Sequence, residues 1–226
     1  MSHQHEYQNF FEKLTEIEKK NSPKELFFRG DFSLLEVERR ISVVGSRDLS
    51  ELGRRRARKI TKFLVENNFI VVSGLAEGVD TIAHETAIEN GGKTIAVIGT
   101  PLNKYFPTKN KHLQDEIANH HLLISQFPEN YNVTPKNFPI RNRTMALISD
   151  ATIIIEASEK SGTKHQGWEA LRLGRELFIM ENIISEKNIS WAKDMLEYGA
   201  QILTNDNYQF LISEIPYLTS KTDYAF

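Results

Sequence analysis

The feature that most restricts the fold is a series of short, continuous, β-branched apolar runs, three of which stop at a glycine. Those three are Ile41-Ser-Val-Val-Gly45, Phe69-Ile-Val-Val-Ser-Gly74 and Thr94-Ile-Ala-Val-Ile-Gly99. His121-Leu-Leu-Ile-Ser125, Ala151-Thr-Ile-Ile-Ile-Glu156, Glu176-Leu-Phe-Ile-Met180 and Gln201-Ile-Leu203 continue the series. The runs are continuous rather than alternating, so they read as strands covered on both faces. Between them, apolar residues recur at helical spacing: Ala57, Ile60, Phe63 and Leu64; Val79, Ile82, Ala83 and Ala87; Ala170, Leu171 and Leu173. Strand–helix alternation calls for a mostly parallel sheet with right-handed crossovers, an α/β fold flanked by helices on both faces. In such sheets the ligand crevice lies at the carboxyl ends of the strands. The glycines that close the first three runs permit a tight turn there and a close approach of backbone to ligand.

The first forty residues differ from the rest. A polar amphipathic helix precedes Pro23-Lys-Glu-Leu-Phe-Phe-Arg-Gly30, a candidate edge strand. There is no internal repeat, low-complexity segment or flexible linker. The simplest division is a helix and edge-strand extension (1–35), one α/β domain (36–215) and a C-terminal tail (216–226).

Composition narrows the function. The 226 residues include no cysteine, which excludes disulfides, thiol nucleophiles, zinc–cysteine sites and iron–sulfur clusters. The N-terminus lacks a signal-type apolar run and no apolar segment approaches about 18 residues, so a cytoplasmic protein with no membrane span is expected. The net charge of −2 is unlike that of a typical nucleic-acid-binding protein. The average conceals an asymmetry, however. From Arg39 to Lys62 nine basic residues face two acidic ones, whereas from Glu176 to Phe226 eight acidic residues face three lysines. A basic face, with Arg54, Arg55 and Arg58 as its helical part, would lie apart from an acidic one. The plainer alternative is that Arg54 to Lys62 is the solvated side of a helix.

Four motifs carry candidate chemistry. Gly45-Ser46-Arg47 follows the first buried run and precedes the arginine-rich helix, where backbone N–H groups and the helix dipole make an anion site and Arg47 a phosphate clamp. It is neither a Walker loop nor a dinucleotide fingerprint. Asn137-Phe138-Pro139-Ile140-Arg141-Asn142-Arg143 sets two arginines near a helix N-terminus, an unfavourable placement for cations unless an anion lies between them. Phe138 could stack on a base or serve as a buried staple. Ser161-Gly162-Thr163 is a second turn opening a helix and a second candidate phosphate cradle, and the following Lys164-His165-Gln166 could line a pocket. Ser73-Gly74-Leu75-Ala76-Glu77-Gly78-Val79-Asp80 gives a close backbone loop. Asp80 and His84, one helical turn apart, form either a structural hydrogen bond or a catalytic pair. His3, His5 and the His120-His121 pair lack a carboxylate at ligand spacing, so no metal is expected.

Taken together these motifs resemble the DNA-processing protein A (DprA/Smf) family. The resemblance runs in order through Leu26-Phe27…Gly30, Val44-Gly-Ser-Arg47, Ser73 to Asp80 with Ala83-His84, Gly99…Tyr105…Pro107…Asn110…Leu113, Leu123-Ile-Ser125…Pro128, Asn137 to Arg143 with Ser149-Asp150, Ser161-Gly162…Ala170…Gly174-Arg175-Glu176 and Gly199-Ala200. It spans roughly residues 20 to 212. It implies an extended Rossmann-like domain, a homodimer, binding of single-stranded DNA and help in loading a RecA-like recombinase, with no catalytic turnover and no cofactor. Carried over by position, it nominates Arg47, Arg141 and Arg143 for the phosphates. Gly45, Ser46, Ser73, Gly74, Asn142, Ser161, Gly162 and Thr163 would shape the pocket. Departures are Glu77, where relatives often have a basic or neutral residue, and the polar Lys164-His165-Gln166, where they tend to be apolar. There is also no room for the additional helical or winged-helix domains of many members. These departures motivate an alternative, a regulatory protein acting through a cognate toxin or phage-defence partner. A third reading, a nucleotide phosphoribohydrolase, lacks its PGGxGTxxE motif.

Overall fold

The computed structural model describes residues 11, 12, 14–20, 22–36 and 39–215. The tail at 216–226, His3, His5 and most of the expected N-terminal helix lie outside these residues. All seven apolar runs are strands: β2 (Arg40–Val44), β3 (Ile70–Ser73), β4 (Thr94–Ile98), β5 (Leu122–Ser125), β6 (Ala151–Ile154), β7 (Glu176–Met180) and β8 (Gln201–Leu203). The expected edge strand is β1 (Phe27–Gly30). They form one eight-stranded sheet in the order β1-β5-β4-β3-β2-β6-β7-β8. Every pairing is parallel except that of β1 with β5. Strands β2 to β6 are buried along their whole length, as continuous apolar runs require. The fold is the α/β, extended Rossmann-like architecture, a mostly parallel sheet flanked by helices.

The helices are α1 (Glu16–Lys19), α2 (Glu51–Glu66), α3 (Val79–Glu89), α4 (Lys111–His120), α5 (Asn137–Ile148), α6 (Thr163–Arg172), α7 (Glu181–Ser185), α8 (Ser190–Glu197) and α9 (Tyr208–Ser213). Helix α2 starts where Ser50 caps it, its hydroxyl accepting from Gly53 N at 2.9 Å. Gly53, Ala57, Ile60 and Leu64 bury one face of α2, and Arg54, Arg55 and Arg58 stand in solvent on the other. Helix α2 packs on α3, and α5 packs on α6.

The basic window divides. Arg40 is buried at the start of β2, and its guanidinium donates to Ile148 O at 2.6 Å and Leu35 O at 2.8 Å. Its backbone N–H donates to Asp150 at 2.8 Å. Arg39 lies 4.3 Å over the Phe69 ring. Both sit at the amino ends of the strands, so the cations counted from Arg39 to Lys62 do not share one face. A second buried cation closes the same end: Arg175, just before β7, pairs with Glu18 of α1. Glu18 also accepts from Thr15 N at 2.7 Å, completing a capping box at the start of α1, while its pair with Arg175 ties the helix to the domain. Removing one member of a buried pair strands the other charge, so Glu18→Ala is expected to cost about 3 kcal/mol. Urea denaturation of the variant would measure this, and a change within about 0.5 kcal/mol would contradict the role given to the pair.

Candidate functional site

The chain builds β2 to β5 in one direction along the sheet and β6 to β8 in the other, so the strand order reverses between β2 and β6. Crevices form at such a switch point because successive connections leave to opposite faces. Here the turns after β2 and β6 are tied together, with Ser46 N donating to Glu156 O at 2.7 Å. Above them opens a cleft of about 440 Å³ lined by Gly45, Ser46, Arg47 and Asp48 after β2, Phe138, Arg141 and Asn142 from α5, and Lys160 to Thr163 at the start of α6. A smaller pocket of about 240 Å³ adjoins it, sharing Arg47, Phe138 and Arg141 and adding Gly74, Phe106 and Pro107.

Arg141 organises both. Its side chain is buried, and Nη1 donates to Gly74 O and, at 2.8 Å, to Val97 O, which anchors α5 across the ends of β3 and β4. Burial pulls its pKa down, the nearby Asp80 carboxyl opposes that, and Arg47 adds a repulsive push. A guanidinium stays charged regardless. Asp80 itself is committed to the loop, accepting from Gly74 N at 3.2 Å and Ala76 N at 3.3 Å, and burial pushes its carboxyl above the ordinary value. The cleft therefore holds three cations, Arg141, Arg47 and Lys160, against two acids, Asp48 and Asp80. That excess of positive potential at a helix-terminus cleft suits an anion.

The glycines at the strand ends have a different purpose from the expected one. A Cβ on Gly74 would lie 1.7 Å from Arg141 Nη1, and one on Gly45 would lie 2.4 Å from Val79 Cγ2. What approaches these glycines is the protein's own side chains, with Gly74 leaving the space that the Arg141 guanidinium fills.

The structure gathers Gly45, Ser46, Arg47, Arg141, Asn142, Ser161, Gly162 and Thr163 around one cleft, with Gly74 in the adjoining pocket. Ser73 is buried away from it, its hydroxyl donating to Val43 O at 2.7 Å between β3 and β2. Arg143 is exposed, and neither it nor Arg54, Arg55 or Arg58 lines either pocket. Glu77 is neutralised by Lys109 at 2.7 Å. Of the polar run after Thr163, His165 and Gln166 reach the cleft and Lys164 does not. Lys160 is the cation that sequence reasoning passed over, and its place just before Ser161-Gly162 was the available signal. Phe138 is half-buried, its ring 5.3 Å from that of Phe106 and 5.8 Å from the Arg47 guanidinium carbon.

Asp80 and His84 are not hydrogen-bonded to each other. His84 is buried and its Nδ1 lies 2.7 Å from Thr94 Oγ1. Because that hydroxyl donates to Val71 O at 2.8 Å, His84 Nδ1 must be the donor in the pair. The motif histidine is thus a clamp between α3 and β4. Burial, helped by the charges of His121 and Arg141, lowers its pKa to about 3. An unfolded histidine takes up a proton below about pH 6.5, but the folded one does not, so stability is lost as pH falls from there toward 3. The slope from this group alone reaches about 1.4 kcal/mol per pH unit. His84→Asn keeps a donor for Thr94 and removes the titration. Chemical denaturation between those limits should show a shallower acid limb for the variant, and parallel limbs would contradict the assignment.

The sheet order and the cation-lined cleft at its switch point place the chain in the extended Rossmann-like class of α/β proteins. Within that class, a family model for DNA recombination-mediator protein A matches residues 2–214, and the chain belongs to that family. It is 38% identical over 185 residues to the DNA processing protein DprA of Streptococcus pneumoniae, covering 82% of this chain and 65% of that protein. It is 32% identical over 181 residues to DprA of Bacillus subtilis, covering 80% and 61% respectively. The chain therefore spans less than two thirds of the length of these relatives. The X-ray structure of the S. pneumoniae protein superposes with a TM-score of 0.79 at 35% identity, over 92% of this chain and 70% of that one. A structure describing the single-stranded DNA binding mode of DprA from Helicobacter pylori superposes with a TM-score of 0.77 at 28% identity, over 91% and 93%. The molybdenum cofactor binding protein of Rippkaea orientalis shares the fold alone, at a TM-score of 0.55 and 18% identity over 80% of this chain and 98% of that one.

Proposed function

We propose that the protein binds single-stranded DNA in the switch-point cleft and acts in DNA processing or recombination without catalytic turnover. The observation that carries this reading is the convergence of Arg47, Arg141 and Lys160 on one cleft beside the start of α6, with Asp80 already held by two backbone amides. Phosphates satisfy such a site without base specificity. The half-buried Phe138 ring adds a face on which a base can stack, a sequence-tolerant contact. The match to the H. pylori protein supports the choice of a single strand as the polyanion. Among the described residues no helix is long and apolar enough to cross a membrane. We place the protein in the cytoplasm and, following the family, as a homodimer that meets a RecA-like recombinase. The division into extension (1–35), domain (36–215) and tail (216–226) belongs to the same proposal.

Arg141 is a poor test residue, since its loss would also release α5 from Gly74 and Val97. Arg47 is exposed, so Arg47→Ala with Lys160→Ala removes two cleft cations without opening the core. The double variant should melt like the parent and bind an oligothymidylate more weakly. Its plot of log affinity against log salt should be shallower by about 1.4, the loss of two phosphate contacts. Unchanged affinity and slope in fluorescence anisotropy would overturn the cleft as the binding site.

A further inference from the structure

Helix α2 carries its cations in an unusual arrangement. Arg54, Arg55, Arg58, Lys59 and Lys62 are all exposed and recur at three- and four-residue spacing, so they share one outer arc of the helix. The arc covers about 12 Å of helix from Arg54 to Lys62. Helix stability does not explain this. Cations favour the last turn of a helix, yet the last turn of α2 has none and Arg54 and Arg55 lie close to its N-terminus. Lys62 and Glu66 pair at 3.7 Å with the lysine N-terminal, the less favourable orientation. The other acidic partner on the arc, Glu51, reaches Arg55 at 3.6 Å, and both pairs are well exposed and readily exchanged for another anion. Among the described residues, Arg54 and Arg58 make no ion pair.

The arc is continuous with the cleft. Asp48 lines the cleft, α2 starts at Glu51, and the first turn of α2 is fixed to the cleft rim through Ser50 Oγ, which donates to Glu156 at 2.9 Å. The character of the surface also matters. A protein partner needs an apolar or aromatic centre that can be sealed from water. The exposed arc has no aromatic residue and, of large apolar ones, only Leu52, at its cleft end. A polyanion needs no such centre.

We infer that the outer face of α2 is a second phosphate track that binds the nucleotides flanking those held in the cleft, by charge alone. This rests on the cleft reading above and extends it to the path of the strand. It follows that the track contributes nothing to a short oligonucleotide that the cleft accommodates, and contributes to a long one. It also follows that the near-neutral chain has a larger DNA footprint than its cleft.

The test is fluorescence anisotropy across a salt series with labelled oligothymidylates of about 6 and about 20 nucleotides, chosen to bracket single-site sizes. The parent is compared with the triple variant Arg54→Ala, Arg58→Ala, Lys62→Ala. Alanine is the best helix former, and the three side chains are exposed, so α2 is retained, which circular dichroism checks. With the long strand, the salt slope of the variant should be smaller by about 2, so that the ratio of the two affinities changes about a hundredfold per tenfold change in salt. With the short strand the two proteins should be indistinguishable. An unchanged slope with the long strand overturns the track and leaves the arc to an acidic protein partner. Equal losses with both lengths also overturn it, because the arc would then be part of the primary site. If the parent binds neither strand, the cleft reading itself fails.

Discussion

The arrangement at the carboxyl edge of the sheet depends on one buried charge, the Arg141 guanidinium lodged against Gly74 and Val97. Removing a charge from water costs several kcal/mol unless its donors are satisfied and an opposite charge is near. Two backbone carbonyls and the neighbouring Asp80 carboxyl offset part of that cost, while Nε remains without a partner. The consequences spread outward. Gly74 must lack a side chain, Asp80 must hold the loop amides, and α5 is seated across two strand ends. Phe138, on the same helix, is thereby set between the two pockets. One of the residues that give the cleft its charge thus also fastens its walls.

A switch-point crevice by itself is only a shape. In this one the Asp80 carboxyl accepts from two amides, and Glu156, shortly after β6, is held by Ser50 and Lys187. Arg47 and Lys160 are exposed in the cleft, whose other acidic residue, Asp48, follows Arg47 in sequence and is exposed as well.

The strands were legible because burial on both faces makes an apolar run continuous, and the three best helical stripes were legible because burial on one face makes it periodic. Even the antiparallel edge strand could be located, since it followed a proline and ended at Gly30. Pairwise commitments of polar groups could not be read. Arg40 looks like its neighbour Arg47 in sequence, yet one is wrapped by carbonyls at the amino end of β2 and the other is exposed at the cleft. His84 sits one turn from Asp80, but its partner, Thr94, arrives from the next strand. Ser73 adjoins the motif glycine, but strand alternation turns its hydroxyl to Val43. Arg143 and Arg141 are two residues apart on a helix, so they point to different sides, and only one can face the cleft. In each case the missing information was the neighbour supplied by a distant segment.

Occupancy of the switch-point cleft by DNA phosphates is checked by titrating the isotopically labelled protein with a short oligothymidylate and following the backbone amides by nuclear magnetic resonance. With phosphates in the cleft, the largest shifts fall on Ser46, Arg47, Gly162 and Thr163, with little change along β7, β8 and α9. Shifts concentrated on those last elements, with the two turns unmoved, would contradict that occupancy.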